Sequence, residues 1–138
     1  MPNTIILSQI YVLDHDEALD FYVGILGFEV HSDVDMGFMR WLTINLPSDP
    51  DRQLMLEIPG PPSLSPETAA QVRDLLTKGA GGGWFSMSTD DAYATADTLR
   101  AGGVDFTDEP TDRDYGIDFG IRDPFGNRIR IGQMKSRP

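Results

Sequence analysis

The sequence predicts an α+β protein built from two tandem βαβββ modules. The chain repeats itself at an offset of 76 residues, which places Val30 on Phe106. An Asp-Pro turn followed by an apolar-rich strand also occurs twice, at 49–57 and at 123–131, with the two aspartates 74 positions apart. Repeats of this length indicate a duplicated supersecondary unit, and that unit decides the architecture.

Module one covers about 4–58. The β-rich run 4–12 predicts the first strand. Asp14 or Asp16 then caps a helix that ends at Gly27, because the apolar residues between them recur at helical spacing. Three more strands are predicted at 28–31, 38–46 and 53–58, separated by a turn at 35–37 and a loop at 45–51.

A linker at 59–83 is rich in Pro and Gly at its two ends, and Pro66 begins a short helix within it. Module two, about 84–133, repeats the order of module one. Its helix is capped by Asp90 or Asp91, and its strands are predicted at 84–88, 104–106, 115–121 and 127–132. The 138 residues are expected to form one domain, 1–138.

Composition excludes several classes of function. Cysteine is absent, so disulfides and thiolate metal sites are impossible. The 22 acidic against 11 basic residues give a net charge of −11, which disfavours nucleic acid and anionic membranes and favours a cationic ligand. No apolar run is long enough to cross a membrane, and no signal segment is evident, so we expect a soluble cytoplasmic protein.

Four short motifs carry a family resemblance. They are Val12-Leu13-Asp14, Ala18-x-x-Phe21-Tyr22, Leu26-Gly27-Phe28 and Asp123-Pro124-x-Gly126-Asn127. Together with the paired modules they resemble the vicinal oxygen chelate superfamily, which includes glyoxalase I, extradiol dioxygenases, and fosfomycin and bleomycin resistance proteins. The resemblance implies mixed sheets that curl around a cleft, and a homodimer whose partner chain helps to complete that cleft.

The resemblance also implies four inward positions at which metalloenzymes of the superfamily hold a divalent cation. Here they fall on Leu7, Glu57, Trp84 and Arg130. Only Glu57 could bind a metal, whereas a catalytic site needs about three oxygen or imidazole ligands. We therefore expect no cofactor; the alternative is a divalent metal held by residues that this alignment misplaces.

These positions instead predict a pocket for a small organic ligand, because aromatic, soft apolar and a few polar groups meet there. Glu57 and Arg130 are predicted to form an ion pair across the cleft. The predicted ligand-binding set also includes the neighbours of these residues on the same strand faces: Gln9, Met55, Ser86 and Arg128. Four more residues lie around the middle strands, and the sequence does not decide which face of the sheet they occupy: Phe38, Arg40, Trp41 and Tyr115.

Two functions remain open at this point, with a purely structural subunit as a third. The first is a metal-free binding protein that resembles bleomycin resistance proteins and takes up an antibiotic-like natural product. The second is a glyoxalase-like or dioxygenase-like enzyme, that is a lyase, isomerase or oxygenase, in which Glu57 is the candidate catalytic residue. Nucleophilic catalysis has no support, since the sequence contains no nucleophile elbow.

Overall fold

The computed structural model describes residues 1–135 and contains two four-stranded mixed sheets. Module one consists of β1 (Leu7–Tyr11), α1 (His15–Tyr22), β2 (Glu29–Asp35), β3 (Arg40–Leu46) and β4 (Asp49–Glu57). The linker contains α2 (Pro66–Thr77). Module two consists of β5 (Trp84–Ser88), α3 (Ala92–Ala101), β6 (Asp105–Arg113), β7 (Gly116–Arg122) and β8 (Arg128–Met134). The prediction of two tandem βαβββ modules is therefore confirmed.

Both sheets have the same topology, with strand orders β1-β4-β3-β2 and β5-β8-β7-β6. In each sheet the first strand pairs in parallel with the last, and the remaining neighbours are antiparallel. Val30 pairs with Ile44, and Phe106 pairs with Ile121. The correspondence of Val30 with Phe106 that the repeat predicts is thus present in the pairing of the strands.

Capping side chains and glycines set the ends of the two module helices. The carboxylates of Asp14 and Asp91 each accept the N–H three residues further on, at 2.8 and 3.1 Å, which satisfies donors that a helix start leaves free. Gly103 comes directly after the C-cap of α3 with a φ of 82°, a conformation that side chains with a Cβ disfavour. α1 ends at Tyr22, earlier than the predicted Gly27, and Gly27 with a φ of 84° closes the turns that follow it. Equivalent signals in the two halves therefore produce equivalent helices.

Three strands are longer than the sequence predicts. β2 extends to Asp35, β4 begins at Asp49, and β6 runs to Arg113. β2 and β6 lie at the outer edges of their sheets and are largely exposed, so they lack the apolar run that marks a strand in the sequence. Their hydrogen bonds to β3 and β7, rather than their composition, keep them extended.

Side chains from both modules form one cluster of buried residues. Two hydrogen bonds also join the modules: Tyr22 donates its hydroxyl to Asp123 at 2.8 Å in the buried interior, and the Asn127 amide donates to the carbonyl of Tyr11 at 2.7 Å in a partly buried position. Among residues 1–135, no helix has the length and hydropathy needed to cross a membrane.

Candidate ligand-binding site

Each sheet turns one face to the core and the other away from it. On β8, Ile129 and Ile131 are buried in the core, so Arg128 and Arg130 point to the opposite side. We call this opposite side the open face. By the same alternation it carries the following predicted residues: Leu7 and Gln9 on β1, Met55 and Glu57 on β4, and Trp84 and Ser86 on β5.

The structure also shows to which side of the sheet the side chains of β3 point. Trp41 shares a strand face with Thr43, which lies opposite Met55, and is therefore on the open face. Arg40 lies on the other face, where it forms an ion pair with Asp33 at 2.8 Å. The prediction that Arg40 lines the same pocket as Met55 is accordingly not supported by its position.

The predicted Glu57–Arg130 ion pair is wrong, because Arg130 finds its partners in its own sheet. Its guanidinium contacts Asp108 at 2.5 Å and Asp118 at 2.8 Å. Glu57 instead accepts a long hydrogen bond of 3.5 Å from the hydroxyl of Ser63.

A shift of two residues in the alignment explains this error. Thr43 pairs with Met55, and Gly120 pairs with Arg130, so Met55 is the residue of module one that corresponds to Arg130. Glu57 corresponds instead to Gly132, which lies two residues further along the strand and on the same face as Arg130. The two Asp-Pro pairs are therefore not equivalent: Asp49 and Pro50 are the first residues of β4, whereas Asp123 and Pro124 lie in the turn before β8.

Five side chains form a charged network on the open face of module two. The carboxylate of Asp118 accepts from Arg113 at 2.6 Å, from Arg130 at 2.8 Å and from the Tyr115 hydroxyl at 3.0 Å. Asp108 holds the other side of the Arg130 guanidinium. Tyr115 was predicted for the ligand site, whereas Arg113, Asp108 and Asp118 were missed.

The network favours the charged forms of Asp118 and Arg130. Burial alone would raise the pKa of Asp118, but hydrogen bonds from Arg130, Arg113 and Tyr115 outweigh burial and hold that pKa below its usual value. Burial also works against the charge of Arg130, yet its bonds to Asp108 and Asp118 leave its pKa raised. Two arginines therefore face two aspartates, and the charges within the network cancel.

Seven of the twelve predicted residues line three separate hollows instead of one pocket. Trp84, Arg128 and Arg130 line a hollow of about 450 Å³ on module two. Phe38, Arg40 and Glu57 line another of about 310 Å³ beside the prolines that follow β4. Ser86 lines a groove of about 530 Å³ between the modules. Leu7, Gln9, Met55, Trp41 and Tyr115 lie outside these three hollows.

The hollow on module two has the strongest features of a binding site. The volumes of all three hollows lie within the range of about 300–1,000 Å³ that is typical of small-molecule pockets, so the side chains decide between them. Trp84 is 65% exposed in the hollow on module two, which is unusual for a large aromatic side chain. Arg122 also lines it and was missed, although the alternation Asp118-Phe119-Gly120-Ile121-Arg122 on β7 would have placed it on the open face.

Comparison with known proteins identifies the family. Residues 4–131 match the model of the Glyoxalase/Bleomycin resistance protein/Dioxygenase superfamily. The chain belongs to this superfamily. It is 34% identical to the uncharacterized protein YurT of Bacillus subtilis (strain 168) over 130 residues, which are 94% of this chain and 98% of YurT.

Two solved structures are similar to this chain over nearly their whole length. The crystal structure of UcmS2 has a TM-score of 0.87 and 36% identity, and the match covers 96% of this chain and 98% of UcmS2. TnmS3, an antibiotic binding protein from Streptomyces sp. CB03234, has a TM-score of 0.76 and 27% identity, with 97% and 98% covered.

The residues of this superfamily member do not fit a divalent cation at the expected place. With the corrected register the four positions are occupied by Leu7, Met55, Trp84 and Arg130. They offer an isobutyl group, a thioether, an indole and a guanidinium, of which none is a suitable ligand for a hard cation. Within residues 1–135, no group of three or more His, Asp or Glu side chains is placed to hold a metal ion.

Proposed function

We propose that this protein binds a small aromatic organic molecule of the antibiotic type, without a metal ion, and sequesters it. One observation carries the proposal: Trp84 presents an indole that is 65% exposed in a hollow of about 450 Å³, at a position where metalloenzymes of the superfamily have a ligand. An exposed indole is a stacking surface for a flat molecule, and burying it on binding is favourable.

The similarity to TnmS3 supports the same proposal. TnmS3 is an antibiotic binding protein, and 27% of its aligned residues are identical to this chain over nearly the full length of both. The four superfamily metal positions of this chain carry side chains suited to contacts with organic groups. Glu57, the candidate catalytic residue, lies in a different hollow from Trp84 and Arg130. Asp108 does line the hollow of Trp84, but its carboxylate is paired with Arg130.

Equilibrium dialysis against a panel of polycyclic aromatic antibiotics tests the proposal. At least one compound should bind, and binding should be unchanged after treatment with EDTA, because no metal ion takes part. Trp84→Ala should weaken that binding by about 1–3 kcal/mol through loss of stacking area. Tyr93→Ala is the matched control, since Tyr93 is a 52% exposed aromatic residue on α3 outside the hollow.

Two results would contradict the proposal. One is retention of full affinity by Trp84→Ala, which would remove the indole from the binding site. The other is loss of binding after EDTA that returns when a divalent cation is added, which would favour a metal-dependent enzyme.

We also propose that two copies of the chain associate. The family resemblance implies a homodimer, and the outer strand β2 carries exposed apolar side chains at Val30 and Val34. An unpaired strand edge with apolar residues favours pairing with a second copy.

A further inference from the structure

Three side chains stand in a row across the hollow on module two. Trp84 on β5 lies directly opposite Arg128 on β8, and Arg128 lies directly opposite Arg122 on β7. Side chains at directly opposite positions of neighbouring strands have their Cβ atoms about 5 Å apart. An indole and two guanidinium groups therefore share one band of the sheet.

The two arginines of this row lack an acidic partner in the structure. Within residues 1–135, no carboxylate oxygen lies within 4.0 Å of a nitrogen of Arg122 or Arg128. Asp105 is opposite Arg122 on β6, yet it does not come within that distance. Like charges at directly opposite positions destabilise a sheet, so this arginine pair is unfavourable by itself. The pair stands without a carboxylate partner among residues 1–135, although the protein has 22 acidic residues.

The third arginine of the hollow, Arg130, differs from Arg122 and Arg128 because it has acidic partners. Arg130 is held between Asp108 and Asp118, so its charge is already compensated. Three arginines and one aspartate line the hollow, which gives its lining a formal charge of +2 in a chain whose net charge is −11. The local field, rather than the net charge, decides which ligand is attracted.

Arg122 is also positioned by its surroundings. Its side chain is half-buried and lies against the linker, where a Cβ on Gly79 would be 3.4 Å from one of its terminal nitrogens. A guanidinium is planar and donates two parallel hydrogen bonds to a carboxylate, which makes it the usual partner for that group.

We infer that this hollow binds a planar aromatic carboxylate, with its ring on Trp84 and its carboxylate between Arg122 and Arg128. The inference rests on the proposed function, since it names the class of ligand that the same site takes. It reverses the charge expected from the acidity of the whole chain. The bound carboxylate would supply the anion that the arginine pair lacks.

Matched probes test the charge of the ligand. Calorimetric titration of the full chain with 2-naphthoate and with 2-naphthamide compares a carboxylate with a neutral group of nearly the same shape. We expect 2-naphthoate to bind at least about tenfold more tightly, because a hydrogen bond to a charged group is the stronger one. Added salt should weaken the binding of 2-naphthoate and leave 2-naphthamide unaffected.

Variants locate the effect in the arginine pair. Arg122→Gln and Arg128→Gln should each weaken 2-naphthoate about tenfold and leave 2-naphthamide unchanged. Lys135→Gln is the matched control, because it removes the same charge beyond the far end of β8 and should change neither affinity. Circular dichroism of each variant checks that the fold is retained.

The outcomes separate the inference from the function on which it rests. Equal affinity for the two naphthalene probes, or arginine variants that bind 2-naphthoate like the wild type, would overturn the inference. If aromatic compounds still bound through Trp84 in that case, the proposed function would stand. Inorganic phosphate that binds as tightly as 2-naphthoate would also overturn the inference, since the ring would then contribute nothing.

Discussion

Asp123 uses both of its carboxylate oxygens to hold the turn before β8. Oδ1 accepts the backbone N–H groups of Phe125, Gly126 and Asn127 at 2.8–3.0 Å. Oδ2 accepts the Tyr22 hydroxyl at 2.8 Å and the Asn127 side-chain amide at 2.7 Å. The sequence indicates the turn through its Asp-Pro-Phe-Gly-Asn motif, but not the bond to Tyr22, which is 101 residues away.

Replacing Asp123 should therefore destabilise the whole molecule. Asp123→Ala leaves several buried donors without an acceptor, and we expect the free energy of unfolding to fall by about 3–5 kcal/mol. Urea denaturation followed by circular dichroism measures this change. Asp20→Ala, on the exposed side of α1, is the control and should stay within about 0.5 kcal/mol of the wild type. A similar small loss for Asp123→Ala would show that the turn does not depend on its carboxylate.

Residue patterns predict the face of a side chain better than its partner. The alternation around Ile129 and Ile131 correctly places Arg128 and Arg130 away from the core. The partner Asp108 could not be predicted, because the pairing of β6 with β7 shifts on both sides of it and breaks the alternation on which facing depends.

At the scale of elements, the linker helix and the closing turn contact each other through a glycine. Gly126 has a φ of 112°, and a Cβ at this position would lie 2.2 Å from the carbonyl oxygen of Leu76, near the end of α2. The glycine therefore serves both the backbone conformation of the turn and its close approach to α2. This close approach places the end of α2 against the closing turn, where Leu76 is buried in the core that both modules share.

Gly126→Ala should separate these two elements. Strain at a positive φ and a clash with backbone atoms together predict a loss of about 2–4 kcal/mol in the free energy of unfolding. Gly60→Ala is the matched control, because nothing lies within 4 Å of a Cβ placed there and it should change stability by less than about 1 kcal/mol. Thermal unfolding of the two variants checks the difference, and equal midpoints would contradict the contact.

For the whole molecule, the repeat predicts the architecture and fails in the register of the last strands. The helix caps Asp14 and Asp91 are 77 residues apart, whereas the equivalent residues Met55 and Arg130 are 75 apart. Loops of different length cause this drift. The predicted ion pair treats the two Asp-Pro pairs, 74 residues apart, as equivalent and so matches residues 73 apart, two fewer than the strands require. An alignment error of two residues still assigns each side chain to the correct face of its strand. It assigns the side chain to a position two residues away along that face, and the predicted ion pair was therefore wrong.

The edges of the two sheets differ in a way that bears on assembly. Both outer strands carry acidic residues, but only β6 contains a proline, Pro110, which lacks the N–H that a further strand would need. The outer strand β2 instead exposes Val30 and Val34, at 45% and 51%. We therefore expect contact between copies to involve β2.

Light scattering at micromolar concentration tests this expectation. The wild type should have a mass near twice the 15.3 kDa of one chain, and Val34→Lys should shift it toward one chain, because a charge on the edge strand opposes its burial. Leu75→Lys is the matched control, since Leu75 is a similarly exposed apolar residue on α2 and its replacement should leave the mass unchanged. A wild-type mass of one chain would contradict the dimer, whereas an unchanged mass for Val34→Lys would place the contact away from β2.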